Sequence, residues 1–524
     1  MSFNSWLHRM GCNRATGIFC TAAAALAAIT LTASSASAVD ITVYGGPADT
    51  PGVGGFRVSP SAINIAGTAV GTGVKYDASG VDNGGYRPFR WDGSGADAIE
   101  LGNLGTGNFL NYLDFTYCSV YAINDAGTAV GEAQKYDGSS EFSSGSRPVR
   151  WDAANAAAIE LGTLGAGNYL GASEYTESGA YAINDAGTAV GYAFKYDGSG
   201  AYDGIRAVRW DGSGTAATEL GELGAGTGAG RGGDAHTSAR AINNAGTAVG
   251  DASKFDSNGK YLGSRPVRWD ASGTAATELG ILGDSPSGYA ESYAIAVNDT
   301  GTAVGAAHKF DSGVGKGERA VRWDASTTAA TELGTLGTDA SGYTESYVRD
   351  INDAGTAVGY ARKYDGSGVN LGSRPVRWDA SGTVATELGN LGTTTSGYTG
   401  SVAAINNAGI AVGSAYSETL LRHVAVYWRL DGVAVDLNTL IDPASGWTLD
   451  GASAISETGW IGGAGGFDPD GPGGQAASYR AFLMHVPATA VPEPATVVLF
   501  AVGLVGLGAA SRRRIRRNIM TAKK

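Results

Sequence analysis

Between about residue 60 and residue 486 one three-part unit returns along the chain, and its period constrains the fold more than any other property of the sequence. The first part is Ala-Ile-Asn-Asp-Ala-Gly-Thr-Ala-Val-Gly, as at 122–131. Its asparagines are Asn64, Asn124, Asn184, Asn243, Asn298, Asn352 and Asn406, with a degenerate eighth copy at Ala454-Ile455-Ser456-Glu457-Thr458-Gly459. The second part is Arg-Pro-Val-Arg-Trp-Asp, carrying Trp91, Trp151, Trp210, Trp269, Trp323, Trp378 and Trp428; its eighth copy is Arg480-Ala481-Phe482-Leu483-Met484. The third is Thr-Glu-Leu-Gly-x-Leu-Gly, built on Leu101, Leu161, Leu220, Leu279, Leu333, Leu388 and Leu437, and it occurs seven times rather than eight. The spacing of the asparagines falls from 60 residues to 54. Periods of this size belong to propellers and solenoids.

Each part reads as β structure. Asn-Asp-Ala-Gly between apolar pairs predicts a hairpin turn, with Gly supplying a positive φ and Asn capping its own backbone. In Pro148-Val149-Arg150-Trp151-Asp152 the alternation puts Val149 and Trp151 on one face and Arg150 and Asp152 on the other. The result is four short strands per unit: Tyr-Ala-Ile-Asn, Thr-Ala-Val-Gly, Pro-Val-Arg-Trp and Thr-Glu-Leu-Gly. Four-stranded units repeated about an axis make a β-propeller. The missing eighth copy of the last strand has a counterpart at the start, in Val39-Asp40-Ile41-Thr42-Val43-Tyr44-Gly45. Ile41–Tyr44 is therefore expected beside Ala481–Val486, closing an all-β propeller of about eight blades and removing exposed edges. Seven blades and an open solenoid are the alternatives.

Glycine, 83 of 524 residues, suits many tight turns, and only 14 prolines argue against a disordered Pro/Gly chain. A hydrophobic content of 43% is enough for a large core. Of a net charge of −13, residues 1–38 carry +2 and residues 491–524 carry +6, so the body between carries −21. Such a body repels nucleic acid and anionic surfaces. Only Cys118 remains beyond the first 38 residues, which excludes an internal disulfide, and it reads as a small buried apolar residue.

The two ends differ from the body. Residues 1–38 hold Arg9 and Arg14, an apolar run from Ile18 to Leu31, and the small residues Ala36-Ser37-Ala38. That order predicts a secretory signal peptide cleaved after Ala38. A lipoprotein signal at Cys20 is disfavoured by the bulky Ile18-Phe19 before it. At the other end Val491, Pro492, Glu493 and Pro494 precede an apolar segment at 495–510 and then Arg512, Arg513, Arg514, Arg516 and Arg517. The segment is short for a transmembrane span, and the arginines set its orientation, with the body outside the inner membrane. The prolines keep the preceding residues extended.

This tail resembles the PEP-CTERM sorting signal, through Pro-Glu-Pro, apolar span and arginine cluster in that order. The resemblance implies an exosortase-type membrane processing enzyme as partner, in a Gram-negative bacterium that makes exopolysaccharide. The repeat is similar to the HAF family of extracellular repeats, whose three blocks match Ile123–Gly131, Arg480-Ala481-Phe482 and Glu160–Gly165 here. It departs in the middle block, where Arg usually replaces His. The similarity implies an extracellular protein of unassigned activity.

Chemistry-bearing motifs are sparse. His236, His308, His423 and His485 are dispersed, with no metal-ligand spacing. There is no nucleophile elbow and no phosphate-binding loop. Asp-rich turns, including Asp468-Pro469-Asp470-Gly471, are candidates for Ca²⁺ but match no calcium loop. Arg150 and Glu160 are expected to face each other on neighbouring strands and pair in every unit, rather than form a basic ring for sulfated or uronic polymers. The variable segments Thr106–Ser119, Gly165–Gly179 and Gly224–Thr237 are rich in Tyr, Ser, Thr, Gly and Asn and suit carbohydrate or protein contact. The expected organisation is a signal peptide at 1–38, a repeat domain at 39–490 and a sorting tail at 491–524. The expected function is that of a non-enzymatic component of the cell envelope or extracellular matrix. It would contact exopolysaccharide or surface proteins and need no cofactor. A polysaccharide-acting hydrolase or lyase is the alternative.

Overall fold

Seven units are organised by an Asn-x-x-Gly turn and the eighth by Ser456-Glu457-Thr458-Gly459. The structure, a computed structural model, describes residues 41–43, 58–76, 82–92, 98–109, 112–136, 143–169, 172–224, 235–392, 397, 399–468, 470 and 478–486. The signal-peptide region, Tyr44, the tail at 491–524 and the span expected at 495–510 lie outside these residues. Among the described residues no helix is long and apolar enough to cross a membrane.

In the turn of the second unit, Gly127 has φ 83° and the amide of Gly127 donates to Asn124 O at 2.9 Å. The Asn124 side-chain oxygen accepts from Thr128 N at 2.9 Å, which fixes the turn from inside. The return strand then meets a register shift between Val120 and Ala122. That bulge brings the chain so close to Gly131 that a Cβ there would lie 1.9 Å from Ser119 O. The glycine of Thr-Ala-Val-Gly is a close-approach glycine, not a turn glycine.

The units are antiparallel meanders of four strands. Ser292–Val297, Ala303–Asp311, Val314–Trp323 and Thr331–Glu332 form one sheet in chain order, and the third, fourth, sixth and seventh units repeat it. The first two units join in a nine-stranded sheet through parallel pairing of Gly85 with Thr116 and Tyr86 with Tyr117. The eighth sheet comprises Trp447–Ile455, Trp460–Phe467, Ser478–His485 and, as its fourth strand, Ile41–Val43. The register is Ile41 to Met484, Thr42 to Leu483 and Val43 to Phe482. The pairing expected for the N-terminal strand is present over these three residues. The seventh copy of the third part departs from the rest: Leu437–Leu440 forms a 3-10 turn capped by Asp436.

The core lies between sheets. Trp151, Trp269, Trp323, Trp378 and Trp428 are all fully buried, each with a Val two residues earlier or an equivalent aliphatic beside it. The cluster around Trp269 takes Val190 and Leu220 from the preceding unit and Val267, Ala248 and Ala252 from its own. The motif indoles of the second to seventh units also reach backwards. Trp151 Nε1 donates to Gly102 O at 2.8 Å, Trp269 Nε1 to Gly221 O at 2.9 Å and Trp428 Nε1 to Gly389 O at 2.7 Å. The same glycine donates forwards, Gly102 N to Ala156 O and Gly221 N to Thr274 O, both at 2.6 Å. Leu-Gly of the third part is thus the socket into which the next unit plugs.

The arginines behave differently from the sequence expectation. Ile159 pairs with Arg150 and Glu160 with Val149, so Glu160 is one position away from Arg150. Glu160 instead receives Lys135 at 2.8 Å and Arg147 at 3.4 Å. The clamp recurs as Lys195 and Arg206 on Glu219, and as Lys363 and Arg374 on Glu387. Arg150 pairs with its neighbour Asp152 at 3.0 Å and donates to Gly212 O and Gly214 O of the next unit. Arg268 likewise reaches Ala325 O at 2.8 Å and Asp324 O at 3.1 Å. A buried guanidinium has five N–H groups to satisfy, and a turn with several outward carbonyls satisfies them better than one carboxylate. Replacing Trp269 tests the socket. Trp269→Phe, which keeps a ring but loses the N–H, is expected to cost about 1–3 kcal/mol, and Trp269→Ala about 3–5 kcal/mol, in chemical denaturation.

Candidate functional site

The turns of all eight units line one cavity of about 480 Å³. Its wall is the Ile-Asn-Asp step of each repeat, from Ile63 and Asn64 through to Glu457. Two ladders of hydrogen bonds run around it. In the inner one the side-chain amide of each motif Asn donates to the backbone oxygen of the next: Asn64 to Asn124 O at 3.2 Å, Asn124 to Asn184 O at 3.0 Å and Asn243 to Asn298 O at 2.9 Å. Asn406 ends the series on Ser456 O at 3.2 Å. In the outer one the residue after each Asn offers its N–H to the side chain one unit ahead. Asp125 N donates to Asp185 Oδ1 at 2.9 Å, Asp299 N to Asp353 Oδ1 at 2.9 Å and Asn407 N to Glu457 Oε2 at 2.7 Å.

Ser456 copies half of the asparagine's work. Its hydroxyl accepts from Trp460 N at 3.0 Å, as Asn Oδ1 does elsewhere, but it has no amide to pass onward. Between the eighth unit and the first, hydroxyls substitute: Thr458 Oγ1 donates to Ile65 O at 2.6 Å and Ser453 Oγ to Pro60 O at 2.7 Å. Trp460 covers Gly67, where a Cβ would come within 2.6 Å of the indole.

The cavity wall is acidic. Asp125, Asp185, Asp299, Asp350, Asp353 and Glu457 line it, and no Lys or Arg does. Burial raises the pKa of Glu457, and the nearby Asp353 and Asp125 add to the rise. Asp350 stands where the other units have Ala, as at Ala122 and Ala404. It accepts from Ile351 N and from Ile405 N of the next unit, both at 2.9 Å, while desolvation pushes its pKa up to about 6.

A second cluster was not anticipated from the sequence. In the first strands, each of the second to sixth units carries Tyr or Arg at one or both of the positions three and five before the motif Asn, namely Tyr121, Tyr181, Arg240, Tyr293, and Tyr347 with Arg349; the remaining residues there are Ser119, Gly179, Ser238 and Ile295. Tyr121 and Tyr192 donate to the two oxygens of Glu132, at 2.8 and 3.5 Å. Tyr293 and Tyr347, from adjacent units, donate to the two oxygens of Glu318. Tyr181 stacks on Tyr192 and Tyr347 on Tyr360, with centroids 5.2 and 4.8 Å apart. Arg240 lies over Tyr293 and is held by the buried Asp251 at 2.7 Å, and Arg349 lies over Tyr360. The signal that marks this cluster is departure from an otherwise constant unit. The corresponding residues of the first, seventh and eighth units are Ser59, Ser61, Ser401, Ala403, Gly451 and Ser453.

Among the described residues no group of three or more His, Cys, Asp or Glu side chains is arranged to hold a metal ion. Asp197, Asp256, Asp339 and Asp365 accept N–H groups two and four residues ahead, which lowers their pKa and accounts for their turns. Asp468-Pro469-Asp470-Gly471 falls partly outside the described residues, as do the variable segments. Cys118 is fully buried, and desolvation raises its thiol pKa, which makes it a poor nucleophile. Ala36, Ala38, Val491, Pro492, Glu493, Pro494 and the arginines from Arg512 to Arg517 all lie outside the described residues.

Known proteins place two parts of the chain. Residues 201–377 match a family described as a protein of unknown function (DUF3466), about a third of the length. Residues 490–514 match the PEP-CTERM protein-sorting motif. No curated protein matches. Among solved structures, the β-propeller domain of the Trilobed protease from Pyrococcus furiosus is 10% identical over 75% of this chain and 97% of its own, with a TM-score of 0.41. The Dos1 propeller is 10% identical over 85% of this chain and 94% of its own, with a TM-score of 0.42. A protein of unknown function from Dyadobacter fermentans is 12% identical over 86% and 99%, with a TM-score of 0.30. At these scores the likenesses say nothing of activity, and the all-β description rests on the chain's own strand pairing. The sorting-motif match implies a secreted protein that is processed by an exosortase and located at the cell surface.

The sign of the Asp350 effect can be measured. A carboxyl whose folded pKa lies above its unfolded value of about 3.9 binds more protons in the folded state, so it lowers stability as pH rises from about 4 to 6. Asp350→Asn, which does not ionise but loses one of the two acceptor oxygens, is expected to be less stable than wild type near pH 4 and to lack the decline in stability that wild type shows between about pH 4 and 6. Urea denaturation of both proteins across that range checks this.

Proposed function

We propose that this chain is a secreted, non-enzymatic component of the cell envelope or extracellular matrix. Its repeat domain is a closed eight-bladed propeller of HAF-type extracellular units, displayed after exosortase-type sorting at an exopolysaccharide-rich surface. The observation that carries the reading is the sorting motif at residues 490–514. Pro492-Glu493-Pro494 is the recognition segment, the span at 495–510 holds the chain transiently in the inner membrane, and Arg512, Arg513, Arg514, Arg516 and Arg517 keep their end in the cytoplasm. Closure is supported by the pairing of Ile41–Val43 with Phe482–Met484 and by the hydroxyl bonds from the eighth unit to Ile65 and Pro60. Eight blades are supported by the eight turns that share one cavity. A binding role fits a body of high negative charge with carboxylates spread evenly over the units. A catalytic pair is one local site, whereas these carboxylates take part in bonds that repeat from unit to unit.

A polysaccharide-cleaving hydrolase or lyase is the second reading. One observation favours it, the raised pKa of Asp350 and Glu457 in a shared cavity. Release of reducing ends by wild type but not by Asp350→Asn would support cleavage.

The sorting reading is tested in a Gram-negative host that carries an exosortase. Wild type is expected at the surface or in the medium, shortened at its C-terminus. Pro492→Ala combined with Glu493→Ala is expected to stay in the inner-membrane fraction at the longer mass. Equal mass and equal surface yield of the two proteins would overturn it.

A further inference from the structure

In a repeat this regular, a change confined to neighbouring units marks a place where the units do something besides hold each other. The third and fifth positions before the motif Asn are Ser, Ala or Gly in the seventh, eighth and first units. In each of the second to sixth, one or both are Tyr or Arg, and these meet across unit junctions: Tyr121 with Tyr181, Arg240 with Tyr293, and Tyr293 and Tyr347 on the shared Glu318.

We propose that this tyrosine arc is a binding site for a neutral hexose polysaccharide. The inference rests on the surface-binding reading above and names its ligand class and its residues. Four features converge. First, the tyrosines are half-buried rather than enclosed: Tyr121, Tyr181, Tyr293 and Tyr347 all keep part of their surface in solvent, with Tyr192 and Tyr360 stacked on Tyr181 and Tyr347. A partly exposed aromatic face suits the C–H face of a pyranose ring, since it buries apolar area at little entropic cost.

Second, the hydroxyl protons of Tyr121, Tyr293 and Tyr347 are committed to Glu132 and Glu318. A phenol that donates to a carboxylate offers its own oxygen lone pairs as acceptors for sugar hydroxyls. Burial raises the pKa of Tyr121 and Tyr347, so these hydroxyls stay protonated and neutral. Third, Arg240 and Arg349 are both exposed and each is fixed over a tyrosine ring, which sets N–H donors beside the acceptors. A polyhydroxylated ligand needs both kinds of group side by side.

Fourth, the charge selects against polyanions. Glu132, Glu318 and Asp251 stand within the arc, and the body carries −21. A uronate or sulfated chain would meet repulsion that two arginines, one already paired to Asp251, do not offset.

The test is calorimetric titration of the full secreted protein, purified from its host, with neutral oligohexoses and with the matching oligouronates. Wild type is expected to bind the neutral series and to prefer it over the uronates. Tyr121→Phe with Tyr347→Phe keeps the rings and removes the two acceptor oxygens, and a loss of affinity of about tenfold is expected. Tyr202→Phe, outside the arc, is expected to bind as wild type. Since Tyr→Phe could loosen a unit, thermal unfolding and Arg349→Gln are measured alongside. Arg349→Gln should weaken binding without lowering the melting temperature. If wild type binds neutral sugars and all the arc variants bind equally well, the arc is overturned while sugar binding elsewhere on the surface stands. If wild type prefers uronates, the assigned ligand class is overturned. If it binds no sugar, both the arc and the polysaccharide part of the function reading fall, and the fractionation experiment decides the sorting part independently.

Discussion

The side chain of the motif asparagine sets the terms for the rest of the repeat domain. Its oxygen closes its own turn, as Asn124 does on Thr128 N, and its amide donates to the backbone of the next turn. One residue therefore joins local conformation to long-range assembly. Aspartate could do the first task and not the second, because an ionised carboxylate has no proton to give. Asparagine is also buried at every copy, with an exposure of 3–5%. An unmet amide there would cost about 1–3 kcal/mol, so turn and junction form together or not at all.

Away from the cavity the units are joined by a different device. The Leu-Gly socket takes an indole N–H from the next unit and returns its own N–H to that unit's turn. Arg268 and its equivalents add charged donors aimed at other carbonyls of the same turn. Between these polar bonds lies the apolar layer of Trp269, Val267 and Leu220. The polar bonds fix position and the apolar layer supplies most of the attraction, since hydrophobic burial is not directional. This accounts for a stable secreted domain whose one cysteine in the body is buried and unpaired.

Much of this was legible in the sequence because each unit repeats one pattern. The four strands, the turn at Asn124, the buried face of Val149 and Trp151, and the strand at Ile41–Val43 follow from alternation and from counting copies. The Arg150 partner did not follow. Its error was one residue of register: Glu160 lies opposite Val149, and a fourth strand only two residues long leaves the pairing to the preceding turn rather than to pattern. The bonds between units were also hidden, because a consensus displays what each copy shares and not what one copy gives to the next. The tyrosine arc had a readable signal, the swap of Ser or Ala for Tyr or Arg at fixed offsets. Its meaning needed the neighbouring sheets, since Glu318 and its two tyrosines are 25 and 29 residues apart and come from two units.

The asparagine ladder has one more consequence. From Asn64 to Asn406, donor and acceptor at each amide-bridged junction are the same atoms of the same motif residue, so for the ladder alone any of these units is an acceptable neighbour for any other. Unequal recombination within such a coding sequence would add or delete a whole repeat without producing a mismatched boundary. Within the asparagine ladder, Ser456 receives an amide and forwards none, and so carries a mark of position. A change in copy number would leave the amide ladder intact and would be felt at the two junctions that flank that serine's unit, in the second of which hydroxyls replace the amide.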